Sequence, residues 1–345
     1  MAETMKALIL DGDGYATERP DDTALADMTP FVHLGELPIP EPGEGQVRVK
    51  VALASVNPSD ETFIQGLYGQ PRVKGNAAGF EGVGEVVASG GGPLADGYVG
   101  QRIAFVASPT GPGTWSEYSV ADAATCIPLV DAVRDEDGAA MIVNPLTALA
   151  MFDIVKGDEA KAFIVSAGAS QLSKLMIGVA SDEGYRPIAI VRRDSQIELL
   201  KDLGAAHVLN SEADDFDRQL AAVLREEKPR VFLDAVANQV SARVFTAMGR
   251  HARWVIYGKL DTELPTLFEP GHLIFMMKSI EGFWLVRWMA ETSMADKMAA
   301  IGAAQTRFAT GEWRTDVTAV LSLEEAMTRL PAELAKPNGK VFIKP

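Results

Sequence analysis

Residues 162–193 read AFIVSAGASQLSKLMIGVASDEGYRPIAIVRR, and this stretch decides the fold. An apolar run at 163–165 is followed by a turn of small residues and then by apolar residues at helical spacing. A second apolar run at 188–191 ends in two arginines. A strand, a tight turn, a helix and a strand in so short a stretch form one parallel βαβ unit. Similar alternation continues to residue 257, which predicts an α/β domain with a doubly wound parallel sheet.

The turn of this unit is a candidate phosphate-binding loop. In a dinucleotide-binding fold, the turn after the first strand places the pyrophosphate at the N-terminus of the helix. Only one of the expected glycines is present, and the serine hydroxyls are candidate hydrogen-bond donors to phosphate. An ordinary βα turn without a ligand explains the same residues. The candidate cofactor residues are Ser166, Ala167, Gly168, Ser170 and Gln171.

Two arginines, Arg192 and Arg193, follow the second strand of the unit. In an NAD-binding domain this place holds an acidic residue that binds the ribose. A planar guanidinium instead suits a 2′-phosphate, which it binds through two parallel hydrogen bonds. The alternative is a solvated charge pair after a strand. We favour the first interpretation, which predicts NADPH rather than NADH.

Composition limits the remaining possibilities. A chain of 345 residues is long enough for two domains. Its single cysteine, Cys126, excludes an intrachain disulfide and a multi-cysteine zinc site. The scattered histidines have no metal-ligand spacing, so we predict no metal. The net charge of −15 argues against nucleic-acid binding. The sequence lacks a membrane-spanning apolar run and a secretion signal, so we expect a cytoplasmic protein.

Three segments make up the expected domain organisation. Residues 1–135 read as a β-rich domain, residues 136–290 as the alternating domain, and residues 291–345 as a return to the first. The acidic stretch 11–36 reads as a surface loop or hairpin. Residues 273–280 and 294–310 read as helices.

Two aromatic positions add candidate chemistry. Tyr68 stands between glycines on a loop, where its hydroxyl is a candidate proton or hydrogen-bond donor. A packing tyrosine in a turn explains the same pattern. Phe283 and Trp284 follow Gly282, and together they are suited to wall a flat ligand. They fit a core or an interface equally well.

Taken together, these pieces resemble the medium-chain dehydrogenase/reductase superfamily over nearly the whole chain. The resemblance implies a GroES-like catalytic domain and a Rossmann cofactor domain. Zinc-dependent members carry a cysteine near Asn57 and a His-Glu pair where this chain has Phe80 and Glu81. The chain therefore resembles the zinc-free quinone oxidoreductases and 2-enoyl thioester reductases. The stretches most similar to the mitochondrial enoyl thioester reductases are 56–60, 64–66 with 68–69, 113–115, 143–145 with 147–148, and 282–285.

The resemblance also implies roles for individual residues. It makes Tyr68 the catalytic tyrosine, assisted by Trp284 and Asn57. Asn144 and Thr147 would lie beside the nicotinamide and its ribose, and Tyr257 and Phe283 complete the cofactor set. The implied reaction is hydride transfer from NADPH to a quinone or another small conjugated carbonyl compound. One alternative is a 2-enoyl thioester (enoyl-CoA or acyl-carrier) reductase, and another is an inactive NADPH-binding protein of this fold.

Two partner predictions complete the resemblance. An acidic acyl carrier would need a basic patch on this chain. The candidates for that patch are Arg72, Lys74, Lys278 and Arg287. Related reductases form homodimers by pairing the edge strands of their Rossmann sheets. The expected edge here is residues 253–257 with the segment 259–267.

Overall fold

The structure, a computed structural model, describes residues 3–18, 24–266, 269–336 and 339–345. The chain divides into two compact units, Met1–Val143 with Ile301–Pro345 and Asn144–Ala300. Both limits lie somewhat later in the chain than the expected boundaries after residues 135 and 290.

The first unit begins with strands joined by short helices. The strands are β1 (Thr4–Leu10), β2 (Val32–Pro38), β3 (Gln46–Ser55), β4 (Glu81–Ser89), β5 (Arg102–Val106), β6 (Tyr118–Asp122) and β7 (Ile127–Pro128). The helices are α1 (Pro58–Ile64), α2 (Pro93–Tyr98) and α3 (Asp135–Ala139).

Strands and helices alternate in the second unit. Its strands are β8 (Ala162–Val165), β9 (Arg186–Val191), β10 (His207–Asn210), β11 (Val231–Asp234), β12 (Arg253–Ile256) and β13 (Ser279–Gly282). Its helices are α4 (Val143–Lys156), α5 (Gln171–Asp182), α6 (Ile197–Asp202), α7 (Phe216–Glu227), α8 (Gln239–Ala247), α9 (Gly271–Ile274) and α10 (Leu285–Glu291).

These strands form a parallel sheet in the order β10-β9-β8-β11-β12-β13. Counted from β8, this is the order 3-2-1-4-5-6 of a Rossmann dinucleotide-binding sheet. The predicted doubly wound parallel sheet is therefore confirmed. Its central strands are buried along their whole length, as strands covered by helices on both faces must be.

The last segment of the chain completes the first unit. It contains α11 (Met294–Thr310), β14 (Val317–Ser322), α12 (Leu323–Leu334) and β15 (Lys340–Lys344). Strand β15 pairs with β14 on one side and with β3 on the other. The sheet runs in the order β14-β15-β3-β4-β5-β7, and β6 also pairs with β3. The C-terminal strand thus lies beside the central strands of this unit.

One local prediction was wrong, and the hairpin expected at residues 11–36 is present in part. Residues 273–280 do not form one helix, because α9 ends early and Met277 takes a left-handed φ of 53° before β13 begins. Part of the acidic stretch 11–36 forms the start of β2, which pairs with β1 along its whole length. Val32 is buried and the other side chains of β2 are exposed or half-buried, so its sequence carried no apolar strand pattern.

The predicted dimer edge also requires correction. Strand β12 has neighbours on both sides, and β13 is the outer strand of the sheet in the described part of the chain. Residues 259–266 form no strand, and Leu267 lies outside the described residues. No helix that the structure describes has both the length and the apolar composition needed to cross a membrane.

Candidate active site

Tyr68 lies on a tight loop that follows α1. Gly66 has a φ of +75°, and a Cβ there would lie 2.7 Å from the backbone nitrogen of Ala16. Only glycine meets both conditions without strain. The carbonyl of Gly66 accepts a hydrogen bond of 2.9 Å from the same Ala16 nitrogen. Gly66, two positions before Tyr68, is therefore held in one conformation.

Arg72 fixes the other end of the loop. Its guanidinium donates to the carbonyl oxygens of Ile64 (2.9 Å) and Gly14 (3.2 Å). The backbone groups of Arg72 and Gly14 also pair with each other. Because its donors bind backbone carbonyls, Arg72 stabilises the Tyr68 loop. It is a poor candidate for the predicted carrier-binding patch.

The Tyr68 ring packs against Phe80, and Phe80 in turn packs against Phe63. The ring centroids of Tyr68 and Phe80 are 5.4 Å apart, and those of Phe80 and Phe63 are 4.7 Å apart. Tyr68 is half-buried against the core of the first unit. Packing of this kind holds the ring against the core of the first unit.

A group of buried polar side chains lies next to Phe80, and we call it the Lys340 cluster. Its members are Ser55, Asn57, Asp60, Glu81 and Lys340, each no more than 7% exposed. The Asn57 amide donates to Glu81 Oε1 (2.9 Å) and Ser55 Oγ (3.1 Å). Lys340 Nζ donates to Asn57 Oδ1. The side chain of Asn57 is thus fully engaged within the protein.

This engagement bears on the predicted catalytic role of Asn57. The residue is 1% exposed, and its amide donors and its carbonyl oxygen already have partners. A substrate could reach none of these atoms without breaking a buried hydrogen bond. The geometry therefore favours a supporting role for Asn57, and its catalytic role stays a prediction.

Burial changes the acid–base behaviour of the cluster. Burial raises the pKa of Asp60 well above that of an ordinary carboxyl, although the N–H of Asn57 opposes the rise. Burial lowers the pKa of Lys340, and the negative charges of Glu81 and Asp60 oppose this change. The neighbouring Glu61 also has its pKa raised by burial, to about 7. In each of these groups, burial disfavours the charged form.

The candidate cofactor turn joins β8 to α5 in the second unit. Gly168 N–H donates to Ile190 O (2.9 Å), and a Cβ on Gly168 would lie 2.9 Å from that of Ala189. Glycine is needed here because the turn packs directly on β9. Ala167 has a left-handed φ of 46°, which costs a non-glycine residue about 1–3 kcal/mol. The turn thus has the shape of a phosphate loop, with alanine where glycine would be unstrained.

The serine hydroxyls of this turn bind other protein groups. Ser166 Oγ donates to Asp234 Oδ1 (2.5 Å) and accepts from Ala235 N–H (2.9 Å). Ser170 Oγ accepts from the N–H of Ser173 and so caps α5. Ser173 Oγ donates to the carbonyl of Ser166 (3.2 Å). The expectation that Ser166 donates to phosphate is therefore corrected, since this hydroxyl shapes the turn.

Asp234, which sequence reasoning missed, organises this end of the sheet. It is fully buried at the end of β11 and accepts from Ser166 Oγ, Trp254 Nε1 (2.8 Å) and the N–H of Ala237 (3.1 Å). A buried carboxylate needs several such donors. The available signal was an acidic residue closing the apolar run 231–233.

Arg192 and Arg193 follow the end of β9, and both are exposed. Within the residues that the structure describes, neither guanidinium forms an ion pair. Arg192 does lower the pKa of Asp261 slightly, after larger effects of backbone and Asn238 hydrogen bonds. The pair is therefore exposed to an anion such as a phosphate, and its role at a 2′-phosphate site stays a prediction.

The remaining predicted cofactor residues also lie in the second unit. Asn144 and Thr147 are three residues apart on α4 and so share one helix face. Gln171 is the first residue of α5. Burial raises the pKa of the Tyr257 hydroxyl, and the nearby Ser173 side chain opposes this effect. Tyr257 thus lies beside the helix that begins at the phosphate turn.

Phe283 and Trp284 lie between β13 and α10. The N–H of Phe283 donates to Ile256 O (2.8 Å), which extends the sheet pairing by one residue. Trp284 is 41% exposed in the second unit, so the core interpretation of this residue is wrong. A ligand-binding or interface role remains a prediction for it.

The rest of the proposed basic patch is also largely engaged. Lys278 is buried, and its Nζ donates to the carbonyls of Phe245 and Thr246, both at 2.9 Å. Arg287 forms an ion pair with Glu291 (2.8 Å). Lys74 is exposed. Three of the four candidates therefore already have protein partners, which weakens the prediction of a carrier-binding patch.

One group of potential metal ligands occurs in the described ranges, formed by His207, Glu226 and Glu227. The carboxylate of Glu227 is bound by Arg186 and by His207 Nε2 (2.7 Å). These partners, Arg186 first, lower the pKa of Glu227 to about 2. We interpret the group as a structural ion-pair cluster that joins α7 to β9 and β10.

Comparison with known proteins gives the family. Residues 43–131 match the family described as "Alcohol dehydrogenase GroES-like domain", and residues 172–300 match "Zinc-binding dehydrogenase". The mitochondrial enoyl-[acyl-carrier-protein] reductase of Bos taurus is 30% identical over 278 residues, covering 77% of this chain and 72% of that protein. The chain belongs to the medium-chain dehydrogenase/reductase superfamily. The predicted superfamily, fold class and oxidoreductase class are thereby confirmed.

Two further relatives from this superfamily are informative. A structure from Mesorhizobium loti, provisionally named an NADPH:quinone reductase, is 57% identical and has a TM-score of 0.96. The alignment covers 100% of this chain and 99% of that one. Prostaglandin reductase-3 of Bos taurus is 28% identical over 269 residues, covering 74% of this chain and 68% of that protein.

The zinc site of the superfamily does not fit the residues found here. Phe80 has no metal-binding atom, and its ring packs between Phe63 and Tyr68. Glu81 accepts hydrogen bonds from Ser55, Asn57 and the N–H groups of Ile142 and Val143. A zinc ion requires about four free ligand atoms in tetrahedral geometry. The donor set here is committed to hydrogen bonds, which agrees with the zinc-free branch of the superfamily.

Proposed function

We propose that this protein is a zinc-independent, NADPH-dependent oxidoreductase that reduces a quinone or another small conjugated carbonyl compound. The observation that carries the proposal is the exposed, unpaired Arg192–Arg193 pair at the end of β9, close in sequence to a phosphate-type turn. The high identity to a Mesorhizobium loti protein provisionally named an NADPH:quinone reductase supports the same reaction class.

The residues present suit the binding of NADPH. Arg192 and Arg193 would hold the 2′-phosphate through paired hydrogen bonds. Gly168 would let the pyrophosphate approach the backbone at the N-terminus of α5. Asn144 and Thr147 would orient the nicotinamide from one face of α4. Bound NADPH supplies the hydride.

Tyr68 carries the chemistry that the protein itself contributes. When a hydride adds to a conjugated carbonyl compound, negative charge builds on the carbonyl oxygen. A positioned hydroxyl stabilises that charge by donating a hydrogen bond, or neutralises it by donating a proton. Conjugation spreads the negative charge over the substrate, so a tyrosine hydroxyl is a strong enough donor to stabilise it. Trp284, as an exposed aromatic surface, would flank the flat substrate.

Reduction of a 2-enoyl thioester is the second candidate. It is favoured by the stretches shared with enoyl thioester reductases and by the 30% identity to the Bos taurus enoyl reductase. Against an acyl-carrier substrate, Arg72, Lys278 and Arg287 are already engaged by other protein groups. We therefore place small quinones and enones first, and a CoA thioester before a carrier-bound one.

The decisive test is NADPH oxidation by the purified protein with three substrate types. These are a set of quinones, a short enone and crotonyl-CoA. Faster turnover of quinones or enones supports the proposal, and clearly faster turnover of crotonyl-CoA favours the thioester alternative. Tight binding of NADPH without turnover of any of them would identify an inactive cofactor-binding protein.

We further propose that the protein acts in the cytoplasm as a homodimer formed through β13. This outer strand pairs with β12 on one side only. Exposed apolar side chains surround it, including Ile274, Phe275, Met277, Ile280 and Val286. An outer strand with apolar neighbours is suited to pair with a second copy of itself.

Ile280→Lys is expected to convert the dimer into a monomer. In an antiparallel pairing of two copies, the substitution would bring like charges into a desolvated contact. Sedimentation velocity should then give 37.0 kDa in place of twice that mass. Val73→Lys makes the same change at an exposed position of the first unit and should leave the mass unaltered. A monomeric unmodified protein, or an Ile280→Lys dimer, would contradict the proposed interface.

A further inference from the structure

Lys340 begins the last strand of the chain and is a buried cation. The residue is only 6% exposed, and its Nζ donates to Asn57 Oδ1, which lies 283 positions earlier in the sequence. Asp60, Glu81 and Glu61 are the acidic groups that act on its charge. Burial of an ammonium group is costly unless partners compensate it. The cost suggests a task that an apolar side chain at this place would not perform.

The ammonium group fixes the orientation of the Asn57 amide. A lysine can only donate hydrogen bonds, so the carbonyl oxygen of Asn57 must face Lys340. The amide nitrogen then faces Ser55 and Glu81, as observed. The ionised Glu81 carboxylate can only accept, so it favours the same orientation from the other side of the amide.

Direct contacts lead from Asn57 to the tyrosine. The N–H of Asn57 donates to Asp60 Oδ2 (2.8 Å), which fixes the first turn of α1. Asp60 Oδ1 accepts from the N–H of Phe80 (2.9 Å). The Phe80 ring packs on the Tyr68 ring at 5.4 Å. Each step is a contact between neighbours, so displacement of Asn57 or Asp60 moves the support of the Tyr68 ring.

A second arm of the cluster reaches the start of α4. Glu81 Oε2 accepts from the N–H groups of Ile142 (3.2 Å) and Val143 (2.8 Å). Val143 is the first residue of α4, and a negative charge stabilises a helix N-terminus. Glu81 also receives a hydrogen bond from Asn57, whose orientation depends on Lys340.

We infer that Lys340 is a positioning residue for Tyr68. Its ammonium group orients Asn57 and balances Asp60 and Glu81, and these residues in turn hold Phe80 and the Tyr68 ring. The expected effect of Lys340 on turnover rests on the proposed function. The placement of the Tyr68 ring can be measured without any substrate.

The kinetic test compares Lys340→Met, Tyr68→Phe and the double variant. Lys340→Met removes the charge and keeps an unbranched side chain of similar length. It should lower kcat by about tenfold to a hundredfold, while KM for NADPH stays within about twofold. In the Tyr68→Phe background the same change should cause little further loss, because coupled residues are not additive. Lys6→Met removes an exposed lysine of β1 and should leave kcat unchanged.

The second test follows the tyrosine directly. Incorporation of 3-fluorotyrosine labels all 6 tyrosines, and the signal lost in Tyr68→Phe identifies Tyr68 in the fluorine NMR spectrum. Lys340→Met should shift or broaden this signal and leave those of Tyr185 and Tyr257, in the second unit, in place. Lys6→Met should move none of these three.

The outcomes separate the two hypotheses. An unmoved Tyr68 signal in folded Lys340→Met, or kinetic losses that simply add, would overturn the positioning role. A moved signal in a protein that turns over none of the substrates would support the positioning role and reject the proposed function. If Lys340→Met does not fold, Lys340→Gln repeats the test, because it removes the charge and replaces it with a shorter polar side chain. Normal turnover with an unmoved Tyr68 signal in that variant would likewise reject the role.

Discussion

Tyr68→Phe is expected to lower kcat for the preferred substrate by about a hundredfold to a thousandfold, as loss of one donor to a developing oxyanion does. The substitution removes only the hydroxyl, and the ring keeps its contact with Phe80. The dissociation constant for NADPH, measured by protein fluorescence, should therefore stay within about twofold of the original value. The melting temperature should also change little.

Tyr15→Phe provides a matched control for this experiment. Tyr15 is exposed, and its hydroxyl reaches the carbonyl of Gly69 on the same loop at 3.5 Å. Removal of that hydroxyl perturbs the loop without touching the proposed proton donor, so turnover should be nearly normal. Equal losses of turnover in Tyr68→Phe and Tyr15→Phe would show that the loop conformation, and not the Tyr68 hydroxyl, determines the rate. Full turnover by Tyr68→Phe would reject Tyr68 as the donor.

The alternating unit could be predicted well because its strands are buried on both faces. Continuous apolar runs such as 162–165 and 231–233 can only lie in the interior, and the helical patterns between them leave few other folds. Strand β2 and strand β13 were missed for the opposite reason. Their side chains are mostly exposed or half-buried, so their place is set by pairing with β1 and β12.

The candidate site could be predicted only in part, since several of its contacts join distant parts of the chain. Tyr68 and the arginine pair stand out as residue types in characteristic local surroundings. The bond between Lys340 and Asn57 has no local signal, because 283 positions separate the two residues. The contact of Asp234 with Ser166 spans 68 positions in the same way. Sequence therefore indicated reactive groups better than the groups that hold them.

Replacement of both arginines, Arg192→Ala with Arg193→Ala, is expected to abolish the preference for NADPH. A charge-assisted hydrogen bond contributes about 1.5–3 kcal/mol, so losing two arginines should raise KM for NADPH by at least a hundredfold. NADH lacks the 2′-phosphate, and its kcat/KM should change by less than about threefold. Steady-state kinetics with both cofactors measures the ratio directly. The loss with NADPH should shrink as salt is added, because an exposed ion pair is screened.

Arg218→Ala with Arg225→Ala is the matched control, since both arginines are exposed on α7 and the net charge changes equally. This variant should keep the original cofactor preference, which separates local recognition from the attraction of an anion to the whole protein. Equal losses in the two double variants would mean that long-range charge alone favours NADPH. A better kcat/KM with NADH in the unmodified protein would reject the arginine pair as a 2′-phosphate site. It would also leave the exposed guanidinium groups as a solvated pair after β9.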